Sequence, residues 1–140
     1  MPSEDNIHIV MEYVSHGTLE DFCREESQAL KESTVIYIMQ QLFQGINYLH
    51  KKGICHRDLK PMNILVEDYN IRNDPYVKIT DFGFATIFGE DTETMNYKLG
   101  SPTYMAPELI KREEHNEKVD VWALGIIAFQ LLSNGKSPWG

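Results

Sequence analysis

The sequence is poor in cysteine. Only Cys23 and Cys55 occur among 140 residues, and they form no C-x-x-C pair. That excludes a disulfide scaffold and a thiolate metal cluster, and it fits a reducing compartment. Basic residues are also scarce: 13 Lys and Arg stand against 21 Asp and Glu, for a net charge of −8. Nucleic acids and anionic membranes reward clustered Lys and Arg, so neither is expected as a main partner. Long apolar runs are missing as well. The longest covers residues 121–132, is broken by Gly125 and Gln130, and falls short of the roughly 20 residues that span a bilayer. The polar, acidic start MPSEDN does not resemble a signal peptide, so a cytoplasmic protein is expected. Repeats, low-complexity tracts and Gly/Ser/Pro linkers are lacking too, so the chain is read as one unit.

What is present suits a globular domain, with 42% hydrophobic and 24% charged residues. The acidic clusters around Glu20, Glu90 and Glu113 read as solvated faces. Residues 7–13 are rich in β-branched and aromatic side chains and predict a strand. Thr18 with Asp21 three residues on predicts a capping box opening a short helix. Val35, Ile38, Met39, Leu42, Ile46 and Leu49 keep helical spacing, with Ser33 as the N-cap candidate and Gly53 as the stop. Residues 64–66 and 77–80 predict short strands around a turn containing Asn70, Asn73, Asp74 and Pro75. Periodicity fails over residues 83–107, and a loop of that length is usually functional. Residues 119–133 predict a helix that is apolar nearly all round and therefore lies in the core.

Four motifs carry chemistry. Residues 56–63 read His-Arg-Asp-Leu-Lys-Pro-Met-Asn, 81–83 read Asp-Phe-Gly, 106–108 read Ala-Pro-Glu, and 120–125 read Asp-Val-Trp-Ala-Leu-Gly. In this order and spacing they resemble the signature set of eukaryotic-type protein serine/threonine kinases. The resemblance covers essentially all 140 residues. It implies an α+β fold: the mostly helical C-lobe of a kinase, with the hinge strand and short β-strands at the cleft.

The roles that follow are what the resemblance implies. Phosphoryl transfer from ATP needs positioning and charge neutralisation more than covalent help. Asp58 orients or accepts the substrate hydroxyl proton, and Lys60 brings a positive charge to the γ-phosphate. Asn63 and Asp81 supply oxygen ligands to Mg²⁺, which takes few protein oxygens beside phosphates and water. The Ser101 hydroxyl bridges Asp58 and Lys60. Lys60 and the Gly-Ser-Pro of residues 100–102 point to Ser/Thr rather than Tyr as acceptor. Residues 9–14 resemble the hinge: Met11 is the gatekeeper beside the adenine, and the backbones of Glu12 and Val14 bond its edge. Thr18 lies at a ribose contact and Leu65 packs under the base. His56, Phe82 and Asp120 stack the internal spine and anchor the catalytic loop. His8, His16, His50 and His115 lack metal-ligand spacing and read as surface or core filling.

Arg57 beside Asp58 implies regulation by a phosphate on the loop 84–105 and an upstream kinase as partner. That loop holds Thr86, Thr92, Thr94, Tyr97, Ser101 and Thr103. The usual phosphosite position carries Tyr97, with Thr94 the nearest threonine, while Glu90, Asp91 and Glu93 could stand in for a phosphate. Met62 replaces an acid common in relatives, which leaves a preference for basic peptides open. DFGFA with GSPTYMAPE looks like autophagy-initiating kinases, whereas residues 116–122 and 35–49 look more like calcium/calmodulin-dependent ones. The Gly-rich loop, the strand lysine and its helix glutamate are not among these residues. Nor is the arginine that pairs with Glu108 in relatives, so Glu108 is expected either to be a costly unpaired buried carboxylate or to force the site open to water. Residues 1–140 are thus expected to be a kinase domain incomplete at both ends and of marginal stability alone. The expected function is transfer of the γ-phosphate of Mg·ATP to protein Ser/Thr hydroxyls. The alternative is an inactive fragment that binds substrates or partners.

Overall fold

The computed structural model describes residues 8–26, 28–70, 72, 74–87 and 101–140. The elements are α1 (Leu19–Glu25), α2 (Glu32–Lys51), β1 (Ile54–Cys55), β2 (Ile64–Tyr69), β3 (Pro75–Ile79), β4 (Thr86–Ile87), α3 (Pro107–Lys111) and α4 (Lys118–Leu132). Short 3₁₀ turns at Pro61–Asn63 and Pro102–Tyr104 complete the set. The outcome is a helical body carrying two small antiparallel sheets, as the kinase C-lobe resemblance implies.

Helix α1 opens with the expected capping box. Thr18 Oγ1 accepts the Asp21 N–H, and Asp21 Oδ2 accepts the Thr18 N–H, each at 3.1 Å. Helix α2 starts at Glu32 rather than after Ser33; Lys31 takes the N-cap position without a side-chain bond. Tertiary contacts set that start: the Leu30 N–H donates to the Leu131 carbonyl, and Thr34 Oγ1 donates to Asp74 Oδ1. Gly53, at φ +75, follows the last turn and donates to the His50 carbonyl.

The apolar stripe of α2 (Val35, Ile38, Met39, Leu42, Ile46) packs with Leu19 and Phe22 of α1, Ile64 and Val66 of β2, and Ala123, Leu124, Ile127 and Leu131 of α4. Burying each large side chain there contributes on the order of 2 kcal/mol. A smaller cluster joins Cys55, Ala106 and Val119.

Two expectations need correction. No strand forms over residues 8–13, where Val10 is 95% and Tyr13 89% exposed. A strand needs a paired neighbour for its backbone, and residue-level propensity cannot supply one. Helix α4 is covered on one side only, since Val121, Trp122, Phe129 and Leu132 are exposed. Glu108 is half-buried, in keeping with the second of its two expected outcomes.

Strands β2 and β3 are longer than expected, because an Asx-type turn closes them: Asn70 Oδ1 accepts the N–H groups of Arg72 and Asp74. Their antiparallel register pairs Ile64 with Ile79, Leu65 with Lys78 and Val66 with Val77, and shifts between Val66 and Asp68. Residues 16–18 add to this hairpin. Thr18 bridges Leu65, the His16 N–H donates to the Val66 carbonyl, and the Val66 N–H donates to the Gly17 carbonyl. Helix α3, not foreseen, is one and a half turns long with Pro107 at its start. Among the described residues no helix is long and apolar enough to cross a membrane.

Candidate active site

Residues 56–63 link β1 to β2 and carry a dense polar network. Asp120, at the start of α4 and 1% exposed, anchors it. Asp120 Oδ2 accepts the His56 N–H at 2.9 Å, and Oδ1 accepts the Arg57 N–H at 2.8 Å. The Cys55 thiol donates to Oδ2 at 3.4 Å, and His50 Nε2 lies 2.8 Å from it. Burial first, and then the Asp120 charge, push the Cys55 thiol far above its ordinary value. Arg57 adopts the left-handed conformation, φ +64, which a non-glycine residue accepts only where surrounding bonds hold it. Its Nε also donates to the Phe84 carbonyl at 2.8 Å.

The next residues converge. The Asp58 side chain is nearly buried, and its Oδ2 receives Lys60 Nζ at 2.8 Å and Asn63 Nδ2 at 3.0 Å. Asn63 Nδ2 also donates to the Asp58 carbonyl, so its amide nitrogen is committed and its oxygen is the end left to meet a cation. The Thr80 N–H donates to the Asn63 carbonyl at 3.0 Å. Asp81, the next residue, therefore sits at the same end of the hairpin as Asn63. It is exposed, in the left-handed region at φ +60, with Oδ1 accepting the Gly83 N–H. His56 locks the two strips together. Its Nε2 meets the Thr80 carbonyl, its Nδ1 meets the Asp58 N–H, and its ring lies 5.0 Å from that of Phe82. A carbonyl can only accept and an N–H can only donate, so the proton sits on Nε2.

The remaining predicted residues divide. Thr18 and Leu65 meet through their β-bridge, and Glu12 reaches the same hairpin through Lys78. Met11 and Val14 lie in the extended segment before it, Met11 75% exposed. Ser101 lines a small cavity with Arg57, Asp58 and Met105, but among the described residues no hydrogen bond joins its hydroxyl to Asp58 or Lys60. Thr92, Thr94, Tyr97, Glu90, Asp91 and Glu93 lie outside the described residues, whereas Thr86 pairs with Cys55 in β4.

Two residues with long-range polar partners escaped the sequence reading. His50 is a partner of Asp120 rather than filling. Its place one turn beyond Ile46, at the end of the buried stripe, was the available signal. Lys78 pairs with Glu12 and Glu67, an arrangement without a local sequence signature. A groove of about 900 Å³ between the start of α2 and the β2–β3 turn contains none of the predicted site residues.

A family model described as the protein kinase domain matches residues 1–140. The chain is 42% identical over 135 residues to serine/threonine-protein kinase KIN4 of Saccharomyces cerevisiae, covering 95% of this chain and 16% of that protein. It is 36% identical over 145 residues to serine/threonine-protein kinase CLA4 of Eremothecium gossypii, covering 99% and 18%. It is 38% identical over 131 residues to serine/threonine-protein kinase pakG of Dictyostelium discoideum, covering 93% and 11%. The chain spans less than a fifth of the length of these relatives. With the motifs in sequence order and the fold around them, the chain belongs to the protein kinase domain family, among its serine/threonine members.

Proposed function

We propose that these residues form the phosphoryl-transfer centre of a cytoplasmic protein kinase that moves the γ-phosphate of ATP to Ser/Thr hydroxyls of protein substrates. The observation that carries this reading is the near-buried Asp58 carboxylate held between Lys60 and Asn63. A carboxylate so held is preorganised as the acceptor for a hydroxyl proton, and the adjacent ammonium is a ready counter-charge for a transferred phosphoryl group. Lys60 then serves two anions in turn: Asp58 at rest and the γ-phosphate during transfer.

The donor set fits Mg²⁺. The Asn63 amide oxygen and the exposed Asp81 carboxylate are hard oxygens at one end of the hairpin, and among the described residues no larger cluster of metal ligands exists. Mg²⁺ held by few protein oxygens and by phosphates would neutralise charge on the nucleotide. The hairpin face bearing Leu65, with Thr18 bridged to it, offers an apolar floor and a hydroxyl for base and ribose. Met11, Glu12 and Val14 supply the adenine edge. Ser101 and the segment leading to α3 supply the acceptor side. An upstream kinase acting on the loop near Arg57 completes the reading.

The test is γ-phosphate transfer from labelled Mg·ATP to a generic Ser/Thr protein, with the chain and its Asp58→Asn variant side by side. Transfer that disappears in the variant supports the reading. Equal transfer by both removes Asp58 from its role, and transfer by neither favours a partner-binding module.

A further inference from the structure

Residues 8–15 contain no helix or strand, and nearly all are exposed. Among the described residues, one ion pair ties this segment to the β2–β3 hairpin. Lys78 Nζ lies 2.9 Å from Glu12 Oε1 and 3.0 Å from Glu12 Oε2. Lys78 also pairs with Glu67, which occupies the register shift between Val66 and Asp68. A bulge re-aims the side chain it carries, and here it goes with a second carboxylate at the same ammonium. The two acids raise the Lys78 pKa above its ordinary value, first through the bond to Glu67 and then through that to Glu12. Directly across the ladder from Lys78 stands Leu65, so the two side chains share one face of the hairpin. Leu65 in turn bridges Thr18. One lysine therefore joins Glu12 to the face that holds Leu65 and Thr18.

We propose that Lys78 is a positioning residue for the nucleotide: by clamping Glu12, it holds residues 11–14 in register with Leu65 and Thr18, so that the adenine edge and floor form one site. This rests on the nucleotide reading above. Lys78 acts on ground-state binding and stands apart from Asp58 and Lys60. Its loss therefore raises the KM for ATP and leaves kcat in place. Exposed ion pairs are weak, so the expected change is about two- to fivefold.

The experiment uses the full-length protein that carries these residues, with Lys78→Met, Lys78→Arg, Glu12→Gln and the Lys78→Met/Glu12→Gln double variant. Affinity is read by displacing a fluorescent ATP analogue with Mg·ATP, beside KM, kcat and melting temperature. The expected result is weaker binding in Lys78→Met and Glu12→Gln, no further loss in the double variant, rescue by Lys78→Arg, and unchanged melting temperature and kcat in Lys78→Met. Unchanged affinity in Lys78→Met, or additive losses in the double variant, overturns the clamp alone. Failure of the unsubstituted protein to bind Mg·ATP overturns the nucleotide reading and the clamp with it.

Discussion

Lys60 Nζ lies 2.8 Å from Asp58 Oδ2, and the two side chains are only 16% and 3% exposed. Removing one partner of so sheltered a pair leaves the other charge uncompensated, which is costlier than losing a surface pair. Lys60→Met is therefore expected to lower unfolding free energy by about 3 kcal/mol, measured by urea denaturation. Asn63 still donates to Asp58, so a loss well below 1 kcal/mol would show that the amide alone satisfies the carboxylate.

Asp58→Asn keeps the shape of that site and removes the carboxylate proposed as proton acceptor. Transfer to a Ser/Thr substrate should fall by about 10²- to 10⁴-fold, the usual contribution of a positioned acid–base group. Affinity for a fluorescent ATP analogue should stay within a few-fold of the unsubstituted protein. Loss of nucleotide affinity equal to the loss of transfer would mean that Asp58 acts on binding.

Thr18 caps α1, and Thr18→Ala should destabilise the chain by about 1 kcal/mol. The hydrogen bonds from the Thr18 hydroxyl and backbone hold the Asp21 carboxyl below its ordinary value of 3.8. A depressed folded-state pKa contributes stability that is fully present above the unfolded value and fades as pH falls through the folded one. The stability gap between the chain and its Asp21→Asn variant should thus be full above about pH 4 and close as the solution is acidified further. A gap that does not depend on pH would assign the effect to the helix terminus rather than to the carboxylate.

Burial, followed by Glu26 and Glu20, pushes the Cys23 thiol up to about 11 from 9.0. The thiolate is the reactive form, so at pH 8 alkylation of Cys23 should run about 100-fold slower than that of an ordinary exposed cysteine. Cys55 is fully buried and should react more slowly still. Mass spectrometry after brief iodoacetamide exposure, with and without urea, checks this. Labelling of Cys23 at the rate of a free thiol in the folded chain would contradict it.

Local and periodic features were legible in the sequence for physical reasons. The Thr18–Asp21 box lies within one turn, and the α2 stripe repeats at the helical period, so both announce themselves without tertiary context. The segment 56–63 was legible through its resemblance to the kinase signature set, and Asp58, Lys60 and Asn63, all within five positions, do meet. Features that depend on distant partners were not. Residues 7–13 have strand composition, but nothing in the composition reveals whether a neighbouring strand is there to pair. Helix α4 is apolar all round, so it carries no stripe to say which side Leu124 and Ile127 turn inward while Phe129 stays exposed. Glu12, which pairs with Lys78, and Asp120, which pairs with His50, lie 66 and 70 positions away from them, and no spacing rule covers such pairs.

The Asp120 anchor also has a kinetic side. During synthesis, residues 56–63 leave the ribosome more than fifty residues ahead of the carboxylate that fixes their backbone. Until α4 docks, the N–H groups of His56 and Arg57 lack their buried acceptor, and Arg57 lacks the backbone bond that helps hold its unfavourable φ of +64. Contacts of such sequence separation are slow to close. The segment 56–63 is therefore made well before its backbone can be set, and its final conformation reports that α4 has docked.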